Sequence, residues 1–371
     1  MRGDTNIRCN ARWKKSKARR AIMAPISPIL TDPAPREARL TLAFDEGLSL
    51  PDGEVCVLRP RAGERFDPLP APRLKMVQGF RPDHDALAQA GWSVTTKAVT
   101  APVALVCLPR AKAEGLALIA QAVEMGAKFI LVDGQKTDGV ESVLKAVRAR
   151  VEVLGAVSKA HGKLFWFAPA GADFSDWQAL PHLVQDPALG QFRTLPGVFS
   201  ADGVDPGSAL LAQHLPEKLP ARMADLGAGW GYLSAACLAR SGVEVMHLVE
   251  AEATALELAR ENIKDPRAQF HWDDAASFSL SGPVDGIVMN PPFHTGRKPQ
   301  PELGLAFIAT AARLLGNRGK LWLVANRHLP YEQSLASLFT THEILAETGS
   351  FRVWQAQGPR RKPAAVTRAR R

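Results

Sequence analysis

Cysteine is scarce and scattered. Among 371 residues only Cys9, Cys56, Cys107 and Cys237 are cysteine, with no Cys-x-x-Cys and no adjacent His pair. That excludes a disulfide-stapled scaffold, argues against structural zinc or another metal centre, and fits a reducing compartment. Long apolar runs are also missing. No stretch reaches the roughly 18 consecutive apolar residues of a membrane span, so no membrane partner is expected. The basic start leads into residues 21–30, which Pro25 and Pro28 interrupt, making a poor secretory core. An Arg-rich organelle presequence would need an amphipathic period that is not evident here. The cytoplasm is the expected location.

The body of the chain also lacks positive charge. The formal net charge is +9, but residues 1–23 carry +7 and residues 359–371 carry +6, leaving −4 for everything between. Basicity confined to two tails suits a polyanionic partner met by flexible arms. For the N-terminal arm the alternatives are solubility or a true start at Met23.

Residues 1–39 read as a basic, proline-rich arm. Residues 40–168 then alternate strand and helix. Strands are expected at 54–58, 74–77, 103–108, 129–132 and 163–167, and helices at 83–90, 113–125 and 140–149, with Asp83 as an N-cap. Such alternation predicts a parallel sheet. This half has no glycine loop: Pro109-Arg110-Ala111-Lys112 stands where a nucleotide-binding turn would be. It reads as a degenerate domain, with Arg110, Lys112 and Lys136 either touching phosphates or lying on a solvated face. Residues 169–196 read as a linker, and 197–358 as a second α/β domain, with 359–371 as a basic tail.

The second domain carries the chemistry. Strand 223–226 runs into Gly227-Ala228-Gly229-Trp230-Gly231 and a helix, which turns backbone N–H groups toward a ligand. The glycines alternate and an acid, Asp225, opens the loop, unlike the Gly-x-Gly-x-x-Gly of dinucleotide binders. A carboxylate there would repel pyrophosphate and suit a ligand with an ammonium and a sulfonium. Glu250 ends the next strand, placed for two ribose hydroxyls, and Asp274 follows the third, placed for an adenine amino group. Asp205 or Ser208 can cap the helix holding Leu210 and Leu211, and the segment from Phe199 is expected to line the site.

After the apolar run 286–289 comes Asn290-Pro291-Pro292-Phe293. Two prolines remove two donors and leave carbonyls pointing out of the ladder. Carbonyls, a side-chain amide and an aromatic ring together suit a planar group carrying NH2. The expected site is therefore Asn290, Pro291, Pro292 and Phe293 for chemistry, and Asp225, Gly227, Gly229, Gly231, Glu250, Asp274 and Ser208 for the cofactor.

With these motifs in order, the chain resembles the class I S-adenosylmethionine-dependent methyltransferases, and more closely the bacterial small-subunit ribosomal RNA guanine-N2 methyltransferase family. The likeness rests on Gly197-Val198-Phe199-Ser200, Asp205-x-Gly207-Ser208, Asn290 to His294, residues 324–331, and Thr348-Gly349-x-Phe351-x-Val353. It implies two tandem Rossmann-like domains, the first degenerate and the second catalytic on a seven-stranded mixed sheet. It also implies S-adenosyl-L-methionine as cofactor, ribosomal RNA or the small ribosomal subunit as partner, and a protein acting as a monomer. The alternatives are methylation of a protein glutamine N5 or another nucleobase nitrogen, and a non-catalytic RNA-binding assembly protein.

Overall fold

In both halves the apolar strand runs are buried on two faces and must be covered by helices on each side. A computed structural model describes residues 34–292 and 301–361. The first half comprises α1 (Pro35–Asp45), β1 (Val55–Leu58), β2 (Leu74–Val77), α2 (Arg81–Gln89), β3 (Val94–Thr95), β4 (Val103–Cys107), α3 (Lys112–Glu124), β5 (Phe129–Gln135), α4 (Val140–Arg148), β6 (Val153–Lys159) and β7 (Gly162–Phe167). A hairpin follows, β8 (His182–Asp186) and β9 (Gly190–Thr194). The second half comprises α5 (Pro206–Gln213), β10 (Arg222–Leu226), α6 (Tyr232–Leu238), β11 (Val245–Glu250), α7 (Ala253–Asn262) and β12 (Ala268–Trp272). It continues with β13 (Val284–Met289), α8 (Pro301–Leu314), β14 (Leu315–Asn326), α9 (Tyr331–Leu338), β15 (Phe339–Glu347) and β16 (Phe351–Pro359).

Both sheets have seven strands and one topology: β3-β2-β1-β4-β5-β7-β6 and β12-β11-β10-β13-β14-β16-β15. Five strands run parallel, and the last two form an antiparallel pair at one edge. Side chains alternate across the buried strands. Val288, Trp322 and Val324 enter one core with Leu233 and Leu258, while Ile287, Met289, Leu321 and Leu323 enter the other with Phe307 and Leu335.

The first sheet is mixed, which corrects the expectation of a parallel one. Strand β6 was not foreseen, and only Ala160 and His161 separate it from β7. Both have positive φ, +48° and +56°, the twist of a two-residue hairpin. So short a link cannot make a parallel crossover, and without Asn or Gly it gave no turn signal. Asp83 does not cap α2, which starts at Arg81 after Phe80; its carboxylate accepts from the N–H of Ala62. Helix α9 was also unforeseen. Its Tyr331 is fully buried against α8, where a side chain at Gly304 would lie 1.8 Å from the hydroxyl. No helix among the described residues is long and apolar enough to cross a membrane.

Helix α1 starts inside the stretch that reads as an arm, and two of its arginines are buried. Arg39 donates through Nε and Nη2 to Asp133 at 2.6 and 2.9 Å, and Arg36 through Nε at 2.7 Å. Arg36 also pairs with Glu64. Asp133 is fully buried on β5, with these two arginines as its counter-charges. Replacing Arg39 with Ala (R39A) should destabilise the protein by about 3 kcal/mol, read as a lower urea midpoint of tryptophan fluorescence.

Candidate active site

The strand order reverses at β10 and β13, which opens a crevice outside their C-terminal ends. The glycine loop lines it. Gly227, Gly229 and Gly231 all have positive φ, and Gly231 is the N-cap of α6. A side chain at Gly231 would meet Ile263 at 2.8 Å, so that glycine serves packing. At Gly229 nothing lies within 4 Å, so a ligand can come up to the backbone there.

Asp225 is fully buried on β10. Ser234 Oγ donates to its Oδ2 at 2.7 Å, while Oδ1 has no partner. Burial pushes its carboxyl up to about 7; the Ser234 hydrogen bond opposes this and the nearby Glu250 adds to it. An orphaned buried oxygen asks for a cation. Glu250 ends β11, with Oε2 accepting from the N–H of Gly229 and Oε1 from that of Glu252, both at 2.8 Å. Burial raises its pKa and these donors oppose the rise. Asp274 lies just beyond β12; its Oδ1 accepts from the N–H of Ala276 and its own N–H donates to Asp273. The donor set fits a ligand with a cationic arm at Asp225, a diol at Glu250 and an amino group at Asp274.

Asn290 follows β13 directly. Its Nδ2 donates to Asp205 Oδ2 at 2.8 Å and to Ser208 Oγ at 2.9 Å. With both N–H bonds taken, Oδ1 is the amide's remaining acceptor. The same Asp205 Oδ2 accepts from the N–H of Ser208 at 2.7 Å, so Asp205 is the N-cap of α5. Asn290, Ser208, Gly227 and Gly229 line one small cavity with Phe199 and Trp230. Trp230 Nε1 donates to the carbonyl of Phe199 at 3.0 Å, and Phe199 is 60% exposed.

The structure thus brings Asp225, Gly227, Gly229, Gly231 and Glu250 to one crevice, with Asn290, Pro291 and Pro292 at the adjoining strand end and Asp274 beyond β12. Phe293 lies outside the described residues. Ser208, expected at the cofactor, has its hydroxyl on Asn290. Ser234 and the second role of Asp205 escaped the sequence reading. Asp205 gave only a capping signal, since 85 residues separate it from Asn290.

Residues 190–355 match the family model described as methyltransferase small domain. Over 164 residues the chain is 38% identical to "Ribosomal RNA small subunit methyltransferase C" of Enterobacter sp. (strain 638), a match covering 44% of this chain and 48% of that relative. A relative of the same name from Cronobacter sakazakii is 39% identical over 167 residues, with the same shares covered. The chain spans about half the length of the curated relatives it matches. Among solved structures, "T. Thermophilus 16S rRNA N2 G1207 methyltransferase (RsmC) in complex with AdoMet and Guanosine" shares the fold. Its TM-score is 0.72 and its identity 24%, covering 88% of this chain and 94% of that one. The glycine loop, Asp225, Glu250, Asp274 and Asn290 all fall within the segment, residues 190–355, that is similar to the methyltransferase small domain.

Proposed function

We propose that the chain transfers a methyl group from S-adenosylmethionine to the exocyclic N2 amine of a guanine in small-subunit ribosomal RNA. The observation that carries this reading is the Asn290 amide, fixed by Asp205 and Ser208 so that its oxygen is the acceptor left for a substrate. The names of the curated relatives and of the solved structure support the choice of RNA and of guanine.

When bound, S-adenosylmethionine supplies an electrophilic methyl carbon for direct displacement. Asp225 would hold its ammonium, Gly229 its backbone approach, Glu250 its ribose and Asp274 its adenine. The chain's own residues then act on the base. A guanine amine is a poor nucleophile because its lone pair delocalises into the ring. Asn290 Oδ1 and the Pro291 carbonyl accept its two N–H bonds and draw the nitrogen toward sp3. The aromatic ring that the sequence supplies at position 293 would suit stacking on an extruded base, a contact worth about 1–3 kcal/mol. Positioning and exclusion of water lower the barrier. No base of tuned pKa is needed, since the amine acidifies once methylated.

Purified protein should transfer labelled methyl from the cofactor to undermethylated 16S RNA or small subunits, with the label recovered as N2-methylguanine. Label found only on a protein glutamine or on adenine would overturn the choice of substrate, and absence of cofactor binding would overturn the enzyme. Ser208→Ala removes one partner of Asn290 and leaves the Asp205 cap. It should lower kcat about tenfold while cofactor KM stays within about twofold. A rise in KM alone would move Ser208 to the cofactor. For Asp225, a bound ammonium lowers a pKa that starts at about 7, so binding releases a proton. Cofactor affinity should rise up to about tenfold between pH 6 and 7.5 by calorimetry, and Asp225→Asn should flatten that rise.

A further inference from the structure

The two halves meet through equivalent loops, and the first half's crevice holds side chains of its own. Leu58 pairs with Val77 as Leu226 pairs with Val249, which makes Arg59 the counterpart of Gly227 and Gln78 the counterpart of Glu250. The backbone agrees. The N–H of Arg59 donates to the carbonyl of Val77, and that of Gly227 to Val249, both at 2.9 Å, with φ of +63° and +79°. Two residues beyond Gln78 and Glu250 stand Phe80 and Glu252, and these counterparts bridge antiparallel to each other. The N–H of Arg81 donates to the carbonyl of Ala251 at 2.8 Å, and that of Ala253 to Gly79 at 2.9 Å. The crevices therefore face one another across a local two-fold.

Arg59 spans that junction. An arginine in the left-handed region is strained, and its side chain shows what holds it there. Nε donates to Glu114 at 2.8 Å, while Nη1 donates to Gln78 at 3.1 Å and to Glu252 of the second half at 2.8 Å. All three ionic side chains are less than a quarter exposed, so the pairing is shielded from solvent. From Glu252 the contacts lead inward: its N–H holds Glu250 Oε1, and Glu250 Oε2 holds the N–H of Gly229. A second line reaches the strand before Asp274. Trp272 Nε1 donates to the carbonyls of Gly79 and Ala251, and Arg81 Nη1 donates to the carbonyl of Trp272. The arrangement leaves no slack, since a side chain at Gly79 would stand 2.7 Å from Glu252 Oε1.

We propose that the first half is the positioning element for the adenosine end of the active site, and that Arg59 is its key positioning residue. Arg59 stands at the position that Gly227 holds in the second half and sets the 250–252 loop through Glu252. This rests on the proposed role of Glu250 in holding the cofactor's ribose. Removing the guanidinium leaves Glu114 and Glu252 facing each other unpaired, and the loop that presents Glu250 shifts with them. The expected signature is selective: the cofactor is lost and the RNA is not.

The test is calorimetric titration of the full chain with S-adenosylhomocysteine, together with KM and kcat for RNA. Arg59→Ala should weaken nucleoside binding about tenfold, Arg59→Lys should recover part of it, and kcat at saturating cofactor and KM for RNA should stay within about twofold. Glu252→Gln, which keeps the loop's backbone pairing, should give a smaller loss in the same direction and serves if Arg59→Ala does not fold. Arg150→Ala, which breaks the surface pair with Asp176, is the control and should leave binding unchanged. Unchanged affinity in Arg59→Ala and Glu252→Gln would overturn the proposal. So would parallel losses of cofactor and RNA tracking a lower melting temperature, which mark a merely structural role. Absence of binding by the unmodified chain would instead bring down the proposed function itself.

Discussion

One carboxylate oxygen connects the start of the second half to the end of β13. Asp205 Oδ2 accepts from the backbone of Ser208, which fixes the first turn of α5, and from the side chain of Asn290, which fixes an amide 85 residues away. An asparagine at the end of a strand would otherwise turn freely and present either nitrogen or oxygen to a substrate. Here the donors are spent inside the protein. What remains for a ligand is an acceptor of known direction.

The electrostatics of the crevice follow from burial more than from charge count. Asp225 has lost water and gained only one hydroxyl, so its second oxygen is unsatisfied until something cationic arrives. Glu250 is buried too, yet two backbone N–H groups compensate it. Burial raises both acids, but only Glu250 has a backbone donor on each oxygen. The His247–His271 contact on the adjoining strands, at 3.0 Å, runs the same way with the opposite sign. Burial and the second ring hold His247 down to about 4, so it is neutral near pH 7.

Much of this was legible in the residues, for identifiable reasons. The apolar runs of β4, β10, β13 and β14 are buried on both faces, and a run of that kind advertises itself. The glycine loop, Glu250 and Asn290 sit at strand ends where spacing alone places them together. What stayed hidden depended on pairings between distant stretches. Strand β6 has a weak alternation and a turn built from Ala160 and His161. The buried Arg36–Arg39–Asp133 cluster looks, in sequence, like more of a basic arm, because charge count says nothing of a partner 94 residues away. Gly79 and Arg59 carried no motif, yet they meet the loop that follows Glu250.

The shared strand order of the two halves has a consequence for how they can change. Glycine at position 59 would make the first crevice look more like the second, but it would also strip Glu114 and Glu252 of their common counter-charge. The substitution that makes the halves more alike therefore leaves a partly buried acid of the second half without its partner. The guanidinium at position 59 thus ties the charge balance of one crevice to that of the other.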